Sequence, residues 1–164
     1  MNIVIFGPPG AGKGTQSKFI AEKFKMYQLS TGEFLRKEIL RNTDIGKKIS
    51  SVINSGELVS DQIVSNLIEK IISNTSYQNR IIFDGYPRNI HQAKSLELML
   101  NSDNQSINFI LFLKVSREII EKRILGRIAC EKCNKIMNKY LNKEEIDNHE
   151  CGRDHLKKRK DDNQ

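Results

Sequence analysis

The sequence predicts an α/β fold, a parallel sheet with helices on both faces, and three observations carry that prediction. Apolar runs of strand length alternate with longer stretches of helical periodicity. The first run, Ile3-Val-Ile-Phe6, leads directly into the glycine-rich segment Gly7-Pro-Pro-Gly-Ala-Gly-Lys-Gly-Thr15. The second, Arg80-Ile-Ile-Phe-Asp84, ends on an acid and a Gly85-Tyr-Pro-Arg88 turn. At 164 residues the chain has material for one main core with small insertions.

Asn2–Phe6 is apolar after its first residue, as suits a strand covered on both faces. A helix follows from about Lys13, with Phe19, Ile20 and Phe24 on one side. Leu29-Ser-Thr-Gly-Glu33 introduces the next helix, Glu33 to about Leu40, with Ser30 or Thr31 as N-cap. Ile45–Asn54 reads as a helix stopped by Ser55-Gly56. Asp61–Ser73 is strongly amphipathic, apolar at Ile63, Val64, Leu67, Ile68, Ile71 and Ile72, with Asp61 near its start. After the strand Arg80–Asp84 come a helix from Ile90 to Leu100, a strand Ile107–Val115 and a helix Arg117–Leu125. In a right-handed parallel sheet, ligands collect beyond the C-terminal strand ends, where both glycine segments fall.

Residues 7–15 have the chemistry of a phosphate cradle. Glycines let consecutive backbone N–H groups face an anion, and the helix start behind them adds its positive end. Lys13 reaches a terminal phosphate, and Thr15 offers a hydroxyl to a phosphate or its Mg²⁺. The G-x-x-x-x-G-K spacing is P-loop NTPase-like, with Gly14 where Ser or Thr is usual. An ordinary glycine-rich turn is the alternative, and the lysine in a strand-then-helix setting argues against it. Gly10, Ala11, Gly12, Lys13, Gly14 and Thr15 are the candidate triphosphate residues.

The 27 basic against 20 acidic side chains leave a net charge of +7, which calls for anionic partners. Nucleotide phosphates satisfy that as well as nucleic acid does. Ile3–Phe6 is too short for a secretory leader, and no run approaches the ~20 apolar residues of a membrane span. Three cysteines, all in the last third, point to a reducing compartment, the cytoplasm, and not to a disulfide framework. From Ile128 to Leu156 the apolar runs vanish, so this insertion needs a staple other than a core. Cys130-x-x-Cys133 and Cys151-x-x-Asp154 read as one tetrahedral Zn²⁺ site with Asp154 as fourth ligand. His149 and His155 flank the second pair as alternative ligands; free thiols or a redox pair are the competing readings. The metal's role is structural.

Taken together, G-x-P-G-x-G-K-G-T at 7–15, S-T-G-E-x-L-R at 30–36, G-E-L-V at 56–59 and D-G-Y-P-R at 84–88 resemble the adenylate kinases. Gln92 and the pair Arg123 and Arg127 also match, and the resemblance covers the whole chain. It implies a P-loop core at 1–29 and 60–127, a helical NMP-binding insertion at 30–59 and a small zinc-knuckle lid at 128–160. Residues 161–164 would begin a last core segment. The implied reaction is ATP + AMP = 2 ADP, with Mg²⁺ carried by ATP and Asp84 positioning it through water; a turn aspartate is the plainer reading.

Arg36 and Arg88 would clamp the AMP phosphate, since a guanidinium fork suits phosphate oxygens. Thr31, the backbones of Glu57, Leu58 and Val59, the Gly85-Tyr86-Pro87 turn and Gln92 would hold the nucleoside. A glutamine amide both donates and accepts, matching the adenine edge and favouring AMP over UMP or CMP. Lys13, Arg88, Arg123, Arg127 and Arg159 would surround the transferred phosphoryl, and no general base is needed. The resemblance would put the lid's contacts to the ATP base and ribose near Ile136 and Met137, although the sequence departs from the family's pattern after Cys133.

Members of the family continue past the equivalent of Asn163, whereas this sequence stops at Gln164. The strand Ile107–Val115 is then expected as a bare apolar edge, and this form as self-associating and poorly active. The full-length form would be a monomeric kinase. A UMP/CMP kinase is one competing reading. The other is a non-catalytic nucleotide- or RNA-binding remnant, weakened by the scarcity of base-stacking aromatics near the cysteines.

Overall fold

Strand β1 (Asn2–Phe6) stands inside a four-stranded sheet in a computed structural model that describes residues 1–41, 44–54, 59–133 and 135–158. Its companions are β2 (Tyr27–Ser30), β3 (Ile81–Asp84) and β4 (Ile107–Phe112), in the order β2-β3-β1-β4, all parallel. Ile3, Val4 and Ile5 of β1 and all of β3 are buried, as strands covered on both faces must be. The register sets Ile5 opposite Asp84, and Ser30 opposite Asp84 on the other side. Three strands therefore end at one level, where Gly7, Thr31 and Gly85 begin the outgoing loops.

Among the described residues the α-helices of this first unit are α1 (Lys13–Phe24), α2 (Thr31–Leu40), α3 (Asp44–Asn54), α4 (Asp61–Ile72) and α5 (Ile90–Ser102). Ser30 caps α2, its hydroxyl accepting from the Glu33 N–H at 3.4 Å, so the helix starts two residues before its expected first residue. Val64, Ile68 and Ile72 of α4 enter the core with Leu96 and Leu100 of α5. The stop expected at Ser55-Gly56 lies outside the described residues.

Three local expectations change. Tyr27–Ser30 is a strand, although only one of its four residues is aliphatic; pairing with β3 makes it one. Phe19 and Phe24 are 60% and 55% exposed, so helical spacing there does not mark a core face. β4 stops at Phe112, short of Val115, and Phe109, Ile110 and Phe112 are exposed. Among the described residues β4 is an edge strand.

The second unit joins Pro8–Ala11 to the chain from Lys114 onward. It holds α6 (Arg117–Gly126) and a three-stranded antiparallel sheet, β6-β5-β7, of β5 (Arg127–Cys130), β6 (Ile136–Asn138) and β7 (Leu156–Lys158). A one-turn helix α7 (Lys143–Asp147) bridges β6 and β7. The sheet was not legible in the cysteine-bearing stretch, whose strands are three or four residues long. Among the described residues no helix is long and apolar enough to cross a membrane.

The end of the sheet remote from the loops is closed by Asn2. Fully buried, its Oδ1 accepts from the Ile81 N–H at 3.0 Å. Its Nδ2 donates to Ser106 O at 3.1 Å and to Gln105 Oε1 at 3.3 Å. Gln105 in turn accepts from the Asn79 N–H and donates to Ile72 O. Asn2→Leu keeps the size but takes the side-chain acceptor from the buried Ile81 N–H and a donor from Gln105 Oε1, so it is expected to cost about 1–3 kcal/mol. Urea unfolding measures it; a midpoint unchanged from wild type would contradict this account.

Candidate active site

The loop between β1 and α1 takes a shape that only glycine tolerates at two points. Gly10 has φ +79°, and a Cβ there would lie 2.9 Å from Ile124 Cγ1 of α6. Gly12, with φ +96°, caps α1 and offers no side chain to its first-turn N–H groups; that turn also holds no acid. A helix start of this kind favours an anion. Lys13 Nζ donates to Gly7 O at 2.8 Å, folding the lysine back over the loop. Within the second unit Arg123 Nη1 donates to Ala11 O at 3.0 Å, tying α6 to the segment Pro8–Ala11. Thr15 is exposed.

Asp84 ends β3 and is 6% exposed. A Cβ on Gly14 would meet its Oδ2 at 3.5 Å, so the carboxylate lies against the cradle. Burial pushes its pKa up, and the charge of Lys13 and the Gln28 amide pull it back. Gln28 Nε2 reaches Oδ2 only at 3.5 Å, which leaves most of the carboxylate's acceptor capacity open among the described residues. A buried carboxylate with spare oxygens beside a phosphate cradle fits hydrated Mg²⁺.

Directly after it, Gly85 (φ +79°) presents its carbonyl to two donors. Thr31 Oγ1 donates at 3.0 Å and Arg88 Nε at 2.9 Å. Arg36 lies over Gly32, where a Cβ would be 3.3 Å from its Nη1. Gln92 is buried, its Oε1 accepting from the Arg88 N–H at 2.7 Å. Tyr86 is 1% exposed, its hydroxyl donating to Gln92 O at 3.2 Å, and Pro87 follows through a cis peptide. Tyr86 therefore braces the turn from inside the core. Val59 is buried. Glu57, Leu58 and Arg159 lie outside the described residues.

In the second unit Arg127 opens β5, Ile136 is exposed and Met137 is buried against the small sheet. Cys130, Cys133, Cys151 and His149 converge, their ligand atoms all within 4.8 Å of one another and Cys133 Sγ 3.7 Å from His149 Nε2. Asp154, expected as fourth ligand, stands outside this group. Gly152 (φ +81°) turns the chain into the short helix Arg153–His155, where Asp154 is exposed.

Burial pushes the Cys130 thiol up, but the N–H of Cys133, the His149 ring and the N–H of Lys132 outweigh it, bringing it down to about 6. Cys151 is pushed up to about 11 by burial and by Cys133 and Cys130 beside it. Three thiols this close ionise together only around a cation. A Cys₃His donor set is one that Zn²⁺ accepts.

Of the residues expected from sequence, Lys13, Gly14, Asp84, Gly85, Thr31, Arg88 and Gln92 gather at the strand ends of the first unit. Asp61 was read only as a helix start, yet it bonds Gln92 Nε2 at 2.6 Å. No spacing rule finds it, because the contact depends on how α4 meets α5.

Comparison with known proteins agrees with this geometry. A family model described as adenylate kinase matches residues 5–164. A protein named adenylate kinase from Pelagibacter ubique is 57% identical over 99% of this chain and 76% of its own length. Another, from Novosphingobium aromaticivorans, is 40% identical over all of this chain and 77% of its own. One from Mycoplasma mycoides is 43% identical, and the matched part is 84% of this chain and 64% of that protein. A phosphate cradle, an adjoining arginine-bearing turn and these relatives lead to one conclusion: the chain belongs to the adenylate kinase family, the ATP:AMP phosphotransferases.

Proposed function

We propose that this chain performs the family's reversible reaction, ATP + AMP = 2 ADP, with each substrate held by the residues described above. The observation that carries the reading is the adjacency of Asp84 and Gly85. Asp84 faces Gly14 of the triphosphate cradle, while the Gly85 carbonyl collects Thr31 and Arg88. One dipeptide thus serves both nucleotide subsites.

ATP's phosphates are taken by the N–H groups of Gly10–Thr15, by Lys13 and by Arg123 and Arg127. Mg²⁺, held through Asp84 and Thr15, would supply neutralising charge on the triphosphate. Arg36 and Arg88 clamp the AMP phosphate, with Arg159 as a further cation. Thr31, the backbone of Glu57, Leu58 and Val59, and Gln92 hold its nucleoside. The AMP phosphate is already an anionic nucleophile, so the protein orients two phosphates in line and balances the charge between them. The half-open Gln92 amide favours adenine over the pyrimidines of a UMP/CMP kinase, and a panel of monophosphates decides between them.

We assign the core to residues 1–29 and 60–127, the AMP-binding insertion to 30–59 and the lid to 128–160. Zn²⁺ is assigned to Cys130, Cys133, His149 and Cys151, as a structural tie. Three thiols gathered at one site suit a reducing compartment, the cytoplasm. The exposed Phe109, Ile110 and Phe112 of β4 favour self-association.

Lys13→Ala is expected to lower turnover about 10²- to 10³-fold in a coupled ATP/AMP assay, with an unchanged circular dichroism spectrum. Near-full activity would remove the P-loop from the mechanism. Elemental analysis should find one Zn²⁺ per chain, lost in His149→Ala and kept in Asp154→Ala, with a lowered melting temperature after chelation. The reverse pattern in the two variants would return Asp154 to the ligand set.

A further inference from the structure

Gln92 is held at both ends of its amide. Nε2 donates to Asp61 Oδ1 at 2.6 Å, and Oε1 accepts from the Arg88 backbone N–H at 2.7 Å. Asp61, the first residue of α4, also accepts from Asn89 Nδ2 at 3.2 Å. Asn89 caps α5 in turn, its Oδ1 accepting from the Gln92 N–H at 2.8 Å. The bonds from Gln92 and Asn89 hold the Asp61 carboxyl below its ordinary pKa, so at neutral pH it can only accept.

A primary amide has two N–H donors and two acceptor lone pairs. Among the described residues one of each is taken and one of each remains. Turning the amide over would set its oxygen against the Asp61 carboxylate and its NH₂ against the Arg88 N–H. Both contacts are repulsive, so the donor and acceptor ends are decided before any base arrives.

That choice has a consequence for the base. Adenine presents an acceptor at N1 and a donor at N6; a 6-oxopurine presents a donor at N1 and an acceptor at O6. The free N–H and lone pair of Gln92 complement the first pattern and oppose the second. A site that mismatches both groups leaves buried polar atoms unpaired, a stronger discrimination than size provides.

We propose that Asp61 is a specificity-determining positioning residue, which pins the Gln92 amide in one orientation and so makes the monophosphate site select adenine against 6-oxopurines. This rests on the AMP-kinase reading above. Asp61 touches no base itself and acts through Gln92.

Asp61→Asn tests it, because an amide of the same shape can face Gln92 with either end. AMP and IMP are compared as acceptors with ATP, IMP being the probe because it lacks the 2-amino group of guanine. The ratio of kcat/KM for AMP over IMP is expected to fall about tenfold or more, the worth of one oriented hydrogen bond. The change should sit in KM, with kcat for AMP nearly kept. Dissociation constants for AMP and IMP, measured calorimetrically on the same samples and on Asp61→Ala, should converge in parallel. An unchanged ratio, or an equal loss for both nucleotides, would show that Asp61 merely ties α4 to α5 and would overturn the proposal. Wild-type protein that prefers CMP or UMP to AMP would overturn the underlying reading instead.

Discussion

Asp84 is held level with Ile5 on one side and Ser30 on the other, and the rest of the site depends on that register. Parallel strands have all their C-terminal ends on one edge, so every loop leaving β1, β2 and β3 starts from the same line. Gly7 starts the triphosphate loop there, Thr31 starts α2, and Gly85 starts the turn to Arg88. Moving β3 by one residue would turn Asp84 to the opposite face of the sheet and separate it from Gly14. The burial of β3 on both faces makes such a slip costly, since Ile81, Ile82 and Phe83 are all completely shielded. A packing constraint in the core thereby sets the position of a charged group at its rim.

What could be read beforehand follows from how local each signal is. The phosphate loop, Asp84 and the amphipathic α4 are written in contiguous residues, and the structure shows them where the periodicity and glycines put them. β2 is written mostly in its neighbour: Tyr27-Gln-Leu-Ser has one aliphatic residue, and its identity as a strand comes from pairing with β3. The Asp61–Gln92 bond joins residues on two different helices, so no pattern within either helix announces it. Phe19 and Phe24 show the opposite failure, a helical spacing whose residues are exposed. At the cysteines, spacing allowed both Asp154 and His149. The left-handed turn at Gly152 moves Asp154 out of the group, and a single backbone angle cannot be read from a spacing rule.

The second unit is stabilised by different means from the first. Its buried side chains among the described residues are few, chiefly Cys130, Met137 and Asn138. Three strands of three or four residues cannot offset the ordering of more than forty residues through apolar burial alone. Asn138 contributes by donating to Arg123 O at 3.0 Å and accepting from the Tyr140 N–H at 2.9 Å, which ties the sheet to the end of α6. The thiols and His149 bring the turn after β5 and the segment before β7 to one point, and the Zn²⁺ proposed there would cross-link them. Such a cross-link would hold the strands without demanding bulk, leaving the outer faces free to be charged.

The two ends of the parallel sheet divide stability from function. At the N-terminal end, Asn2 and Gln105 satisfy one another and the backbone around them, a closed polar network with no ligand to wait for. At the C-terminal end the polar groups are only partly satisfied among the described residues: Asp84 has one long bond, Gly12 gives α1 no side-chain cap, and Gln92 retains half its capacity. Partly satisfied groups at a buried rim destabilise a protein in isolation. In the proposed function, nucleotide and metal complete them. The Asp61–Gln92 pair fits the same logic on a smaller scale. It uses half of an amide to fix the direction of the other half, so that the part left open is selective as well as available.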